Sequence, residues 1–277
     1  MIAQQDLETR RAWDAIAPGY DRTNTTTQLG LGAEGVRRLG LAAGMRFLDV
    51  AAGSGALAIP AARAGARVLA VDLSAVMLDL LAARAQREGL AVETRVMDGH
   101  ALELEDGSCD AAGSQLGVML FPDMPQGIRE MVRVVRPGGR VLMTVYGDPR
   151  RIDFLGFLVA AVQSVRPGFT GPPMDPPPLP FQLRDPERLR RALGDAGLQD
   201  VTVETITENT RFHTGEELWD WLVSSNPIVE QVLGSLELTA AETETVREAV
   251  EQRVRERGGD GPATLTNPIH IGIGTKQ

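Results

Sequence analysis

The chain of 277 residues has one cysteine, three histidines and few aromatics (4%), which leaves little for cross-linking, metal binding or ring stacking. A single Cys109 excludes a disulfide framework and any multi-cysteine metal site, and suits a small buried residue on a strand. Lysine and arginine never form a run, and 28 basic against 37 acidic residues leave a formal charge of −9. Affinity for phosphate backbones needs a concentrated basic surface, so nucleic-acid binding is not expected. Uninterrupted apolar stretches fall short of the roughly 20 residues that a membrane helix needs. The opening MIAQQDLETRRAW is too charged for a signal peptide, and the protein is expected to be cytoplasmic. Apolar content of 43% is ordinary for a folded globular chain.

What is present is organised around Met45-Arg46-Phe47-Leu48-Asp49-Val50-Ala51-Ala52-Gly53-Ser54-Gly55. Phe47, Leu48 and Val50 read as a short buried strand that two glycines break, and a helix follows over 56–64, with Pro60 allowed in its first turn. Strand, glycine turn and helix N-terminus together let backbone N–H groups approach a polar ligand. Gly53, Gly55 and Ala58 satisfy a dinucleotide fingerprint with alanine in third place, which keeps an NAD-dependent oxidoreductase open. Asp49 argues otherwise. A carboxylate beside this turn repels a pyrophosphate and attracts a cationic amino-acid group such as that of S-adenosylmethionine.

Further along, Arg67–Asp72 reads as a second strand ending in an acid, and Ser74 caps a helix striped with Val76, Met77, Leu80 and Leu81. An acid at that strand end can accept bonds from both ribose hydroxyls of a nucleoside. A third strand near 91–97 ends in Asp98-Gly99-His100, so Asp49, Asp72 and Asp98 are expected to converge on one crevice. Cys109–Leu116 is the fourth strand, Phe121-Pro122-Asp123 opens a helix, and the Arg136-Pro137-Gly138-Gly139 turn feeds a fifth strand over 140–146. Five strands alternating with helices over about 100 residues predict a doubly wound, parallel α/β sheet. Before this core, residues 6–17 read as a helix stopped by Pro18-Gly19, while Gly30, Gly32 and Gly35 argue against a firm helix over 23–35.

The ordered set Leu48–Gly55, Val71-Asp72-Leu73-Ser74, Asp98-Gly99 and Arg136–Gly139 resembles the class I S-adenosylmethionine-dependent methyltransferases. Trp13-Asp14-x-Ile16-Ala17-x-x-Tyr20-Asp21 resembles the N-terminal motif of their ubiquinone/menaquinone-biosynthesis group. The resemblance spans residues 11 to 147. It implies a seven-stranded, mostly parallel Rossmann-like sheet with an antiparallel last strand. It also implies that Asp49, Gly53 and Gly55 hold the methionine part, Asp72 the ribose and Asp98 the adenine, with Gly99 and His100 alongside, and that Tyr20 closes over the cofactor. Ala51, Leu73, Met77 and Gln115 are expected to line the same site. The family often has glycine where this chain has Ala51.

Beyond the core, 153–166 read as an apolar helix, and seven prolines crowd Pro167–Pro180. A helix from Asp185-Pro186-Glu187, a strand over 201–212, two helices over 215–257 and a closing strand over 264–275 follow. The expected layout is a helical lid (1–35), a cofactor-binding core (36–150), a substrate-bordering region (151–198), closing strands (199–213 and 263–277) and a helical cap inserted at 214–262. Methyl transfer is then an in-line displacement to a small, largely apolar acceptor, by O- or C-methylation ahead of N-methylation, leaving S-adenosylhomocysteine. No metal is expected, because the acidic trio of metal-dependent catechol enzymes is missing. The three histidines are base candidates, His100 bordering the adenine and His213 and His270 near the crevice, with a structural role the commoner outcome for each. Tyr146 is another, and the choice falls on His213 and then Tyr146. A non-catalytic cofactor-binding protein and a homodimer stay open.

Overall fold

A computed structural model describes residues 4–225 and 227–277. Helix α1 (Gln4–Tyr20) runs through a π-helical turn, Asp21–Thr25, into α2 (Thr26–Leu39). The core then alternates as β1 (Arg46–Val50), α3 (Ala58–Arg63), β2 (Arg67–Asp72), α4 (Ala75–Arg87) and β3 (Val92–Val96). It continues as β4 (Cys109–Gln115), α5 (Met124–Val134) and β5 (Val135–Tyr146). Then come α6 (Asp153–Val162), α7 (Pro186–Asp195) and β6 (Leu198–Phe212), three helices, α8 (Gly215–Ser225), α9 (Pro227–Ser235) and α10 (Ala240–Gly258), and finally β7 (Ala263–Lys276).

The sheet order is β3-β2-β1-β4-β5-β7-β6. The first five strands are parallel, and β7 runs antiparallel between β5 and β6. This is the expected doubly wound, Rossmann-like sheet with an antiparallel last strand. Chain order reverses between β1 and β4, where a doubly wound sheet opens a crevice at its C-terminal edge. Phe47, Leu48, Ala70, Val71, Ala112, Leu142 and Val145 are buried between the helical layers. Pairing jumps from Cys109↔Val135 to Ala111↔Arg140, leaving Arg136–Gly139 outside the ladder as the expected turn, with Gly138 at φ +75°.

Three expectations fail locally. Pro18-Gly19 does not stop the first helix, because the backbone stays right-handed through Tyr20 and Thr25. Gly19 serves another purpose: a Cβ there would stand 2.6 Å from the Ser224 carbonyl oxygen, so glycine lets α8 pack on α1. Segment 26–39 is a firm helix despite its glycines. A Cβ on Gly32 would overlap the Ala56 carbonyl oxygen and one on Gly35 would press Leu142, so tertiary packing outweighs about 1 kcal/mol of poor propensity per glycine. The expected boundary at residue 35 therefore falls inside α2. Residues 215–258 hold three helices, because Pro227 starts α9 rather than merely ending its predecessor. No described helix is long and apolar enough to cross a membrane.

Candidate cofactor site

The cavity at the β1/β4 switch is walled by strand tips, the glycine turn and the helices that arch over them. Tyr20, Asp49, Ala51, Gly53, Asp72, Leu73, Met77, Gly99, His100 and Gln115 all line it. Gly55 and Asp98 do not. Gly55, at φ +103°, has space for no side chain, since a Cβ would stand 2.9 Å from Leu81; its place is in packing the turn onto α4. Asp98 turns back on its own segment, accepting from the His100 backbone N–H at 2.9 Å and meeting His100 Nδ1 at 2.8 Å. That bond holds the His100 ring against Phe121, centroids 4.4 Å apart.

Asp49 is the unusual member. It is 1% exposed, and neither carboxylate oxygen has a hydrogen-bond partner among the described residues. Burial pushes its carboxyl well above the ordinary range; the Ala58 amide, outside hydrogen-bond geometry, opposes this, and the charge of Asp72 adds to it. A buried carboxylate without donors costs free energy that a cationic ligand can return. The orphaned oxygens therefore fit the cationic amino-acid end of S-adenosylmethionine, as does the open turn beside them, where Gly53 adopts φ +52°.

Asp72 is differently placed. Its Oδ2 accepts from the Gly53 N–H and its Oδ1 from the Ser74 N–H, both at 2.9 Å, so one carboxylate shapes the glycine turn and the head of α4. Burial raises its pKa, and these bonds oppose the rise. Ser74 caps α4 as expected, accepting from Met77 N–H at 3.1 Å, and donates to Asp14 of α1 at 2.5 Å. Helix α1 is thereby tied to the core two residues beyond the ribose candidate Asp72. Arg84 adds a second tie, meeting Asp21 at 2.6 Å. Trp13 and Tyr20 meet edge to face, 5.8 Å apart, and both line the cavity.

Neither chosen base candidate, His213 or Tyr146, is among the residues that line this cavity. His213 is exposed at the head of α8, its backbone N–H on Glu217. Tyr146 is buried beside Phe154 and Phe181, and burial, with the charge of Glu208, holds its phenol well above its ordinary pKa. His270 is buried, between Thr205 Oγ1 and the Arg184 carbonyl. Sequence reasoning missed Thr25, Gln28 and Gly117. Thr25 meets Ser54 of the glycine turn at 2.5 Å, and the Gln28 carbonyl accepts from Gln115 at 3.2 Å. They were hidden because 23–35 read as a loose segment. Gly117 follows Leu116, which has φ +55°, and carried no motif.

Residues 48–143 match the methyltransferase domain family. An uncharacterised protein of Mycobacterium tuberculosis (strain ATCC 25618 / H37Rv) is 33% identical over 219 residues, 78% of this chain and 77% of that protein. A demethylmenaquinone methyltransferase of Renibacterium salmoninarum is 29% identical over 211 residues, 72% of this chain and 87% of the relative. Among solved structures, a Haemonchus contortus phosphoethanolamine N-methyltransferase 2 bound to phosphomonomethylethanolamine and S-adenosylhomocysteine shares the fold. It matches at TM-score 0.53 and 20% identity, over 89% of this chain and 52% of that one.

Proposed function

The chain belongs to the class I S-adenosylmethionine-dependent methyltransferases, and on that premise we propose that it methylates a small, largely apolar molecule at oxygen or carbon. The observation that carries the cofactor side is the buried Asp49 carboxylate, without a hydrogen-bond donor and facing the turn at Gly53. Asp49 would hold the ammonium of the methionine part. Asp72 would meet the ribose hydroxyls while keeping its bonds to Gly53 and Ser74. Gly99, His100 and Phe121 would border the adenine, and Tyr20 with Trp13 would close the cavity from α1. When bound, S-adenosylmethionine supplies a methyl group already activated by a sulfonium. The protein's share is alignment and exclusion of water, for which lid residues on α1 and α2 are suited.

An apolar acceptor is supported by the apolar part of the cavity lining, where Leu57, Met77, Met97, Leu116, Leu120 and Phe121 stand. The relative named demethylmenaquinone methyltransferase supports a small organic acceptor. Isothermal titration with S-adenosylhomocysteine tests the cofactor side. Transfer of a labelled methyl group to a panel of small hydroxyl, carbon-acid and amine acceptors tests the rest. Saturable product binding with turnover only on amines would sink the acceptor reading and leave the cofactor reading standing.

A further inference from the structure

Near enough to Tyr20 for the Glu208 charge to act on its phenol, two buried hydrogen-bond acceptors have no donor among the described residues. Glu208 on β6 and Asn267 on β7 are cross-strand partners. Asn267 Nδ2 donates to Glu208 Oε2 at 3.1 Å, which leaves Glu208 Oε1 and Asn267 Oδ1 buried and without donors among the described residues. The row before them in the sheet is Tyr146↔Ile269↔Ile206, so the pair stands one step beyond Tyr146 on the same face, toward the edge that carries the cofactor cavity. Phe212, two alternations further along β6, packs on Trp221, and Trp221 packs on Phe154 beside Tyr146. The pair thus stands on a mostly apolar face, with Ile206 and Ile269 on one side and Thr210 and Leu265 on the other, flanked by the aromatic series.

Folding alone gives no reason for such a point. An unpaired buried carboxylate and an unpaired buried amide oxygen each cost about 1–3 kcal/mol, and an apolar pair would close the β6–β7 ladder as well. Burial raises the Glu208 carboxyl above its ordinary range, with Asn267 opposing, and the Glu208 charge adds to the burial that holds the phenols of Tyr20 and Tyr146 up. Both phenols therefore keep their protons, and Glu208, in its ionised form, is the carboxylate beside them that can accept one.

We infer that Glu208 and Asn267 receive the hydroxyl of the methyl acceptor, and that Glu208 Oε1 takes its proton. The inference rests on the methyltransferase reading above and narrows it to a neutral O–H donor of the phenol or enol class. The O–H bond breaks with its electron pair left on the acceptor oxygen, and the proton bonds to Oε1. The oxygen pair forms the new bond to the methyl carbon, and the pair of the broken methyl–sulfur bond stays on sulfur.

The test uses the full chain saturated with S-adenosylhomocysteine and two probe pairs, 4-nitrophenol with 4-nitroanisole and 2-naphthol with 2-methoxynaphthalene. Calorimetry should show at least one phenol binding tenfold or more tighter than its methyl ether. Glu208→Gln should cut that preference about tenfold, and Asn267→Thr by less, with affinity for S-adenosylhomocysteine unchanged in both. Equal binding of phenol and ether, binding of none of the four, tighter binding of 4-nitrobenzylamine, or a preference that survives Glu208→Gln overturns the inference. Should Glu208→Gln fail to fold, the wild-type preference and Asn267→Thr still decide it. Failure of the wild-type chain to bind S-adenosylhomocysteine would instead count against the cofactor reading.

Discussion

At the scale of single residues, the site is written in side chains that the fold leaves unsatisfied or strained. Asp49 has its pKa raised by burial, so the folded chain without ligand keeps that proton to higher pH than the unfolded chain does. Its contribution to stability is therefore greatest at low pH and is lost as pH rises from the ordinary carboxylate range toward the raised folded value. A cationic ligand restores the ionised form. Affinity for S-adenosylhomocysteine should rise with pH over that window, with proton release measurable by calorimetry in buffers of different ionisation enthalpy. Asp49→Asn should abolish this release and weaken binding by about 1–3 kcal/mol, the scale of a charged hydrogen bond. Ala51 is the second such residue. At φ +55° it occupies backbone space that costs an L-residue about 1–2 kcal/mol, where the family often has glycine. A Cβ on Gly117 would stand 2.6 Å from Ala51 Cβ, so the methyl group that this chain carries at 51 is accommodated by its absence at 117. Ala51→Gly should raise Tm by about 2–4 °C, and Gly117→Ala should destabilise, less severely in the Ala51→Gly background. The Ala51 carbonyl, 2.9 Å from the same position, keeps that rescue partial.

At the scale of elements, helix α2 shows where local reasoning ends. Propensity speaks against it three times, at Gly30, Gly32 and Gly35, and packing answers at two of them. Gly30 is exposed with nothing within 4 Å of a built Cβ, so Gly30→Ala should stabilise by about 0.5–1 kcal/mol. Gly32→Ala, on the same helix, drives a methyl group into the Ala56 carbonyl and should cost at least about 1–3 kcal/mol. Chemical denaturation of the two variants checks the opposite signs. The strands and their acids were legible because each announces itself locally: an apolar run, then Asp72 or Asp98, then a cap or a turn. The inward-facing residues of α2 were not, because Gln28 and Thr25 acquire meaning only from Gln115 and Ser54. Glu208 was passed over for the same reason. On an alternating strand it reads as a solvent-facing charge until β7 brings Asn267 beside it.

At the scale of the whole molecule, helices α1 and α8 lean on each other. Gly19 on α1 makes room for Ser224 on α8, while Asp14 is tied to Ser74 and Asp21 to Arg84 on the core. A ligand that orders α1 through Trp13 and Tyr20 must then order α8 as well. Addition of S-adenosylhomocysteine should slow amide hydrogen exchange in α1 and α8 together, and Asp14→Ala should weaken that joint protection without disturbing the Ser74 cap of α4. Protection confined to α1 would show that α8 moves independently. The sequence alone determined the doubly wound sheet, the glycine turn and the acids at its strand ends, because periodicity, turn chemistry and strand-end acids act over a few residues. Tertiary structure alone decided which acids face the cavity, that Asp98 turns away to His100, that His213 stands outside, and that Glu208 and Asn267 meet. Those outcomes depend on distances between segments far apart in the chain, and burial and the loss of hydrogen-bond partners exist only once the segments have packed.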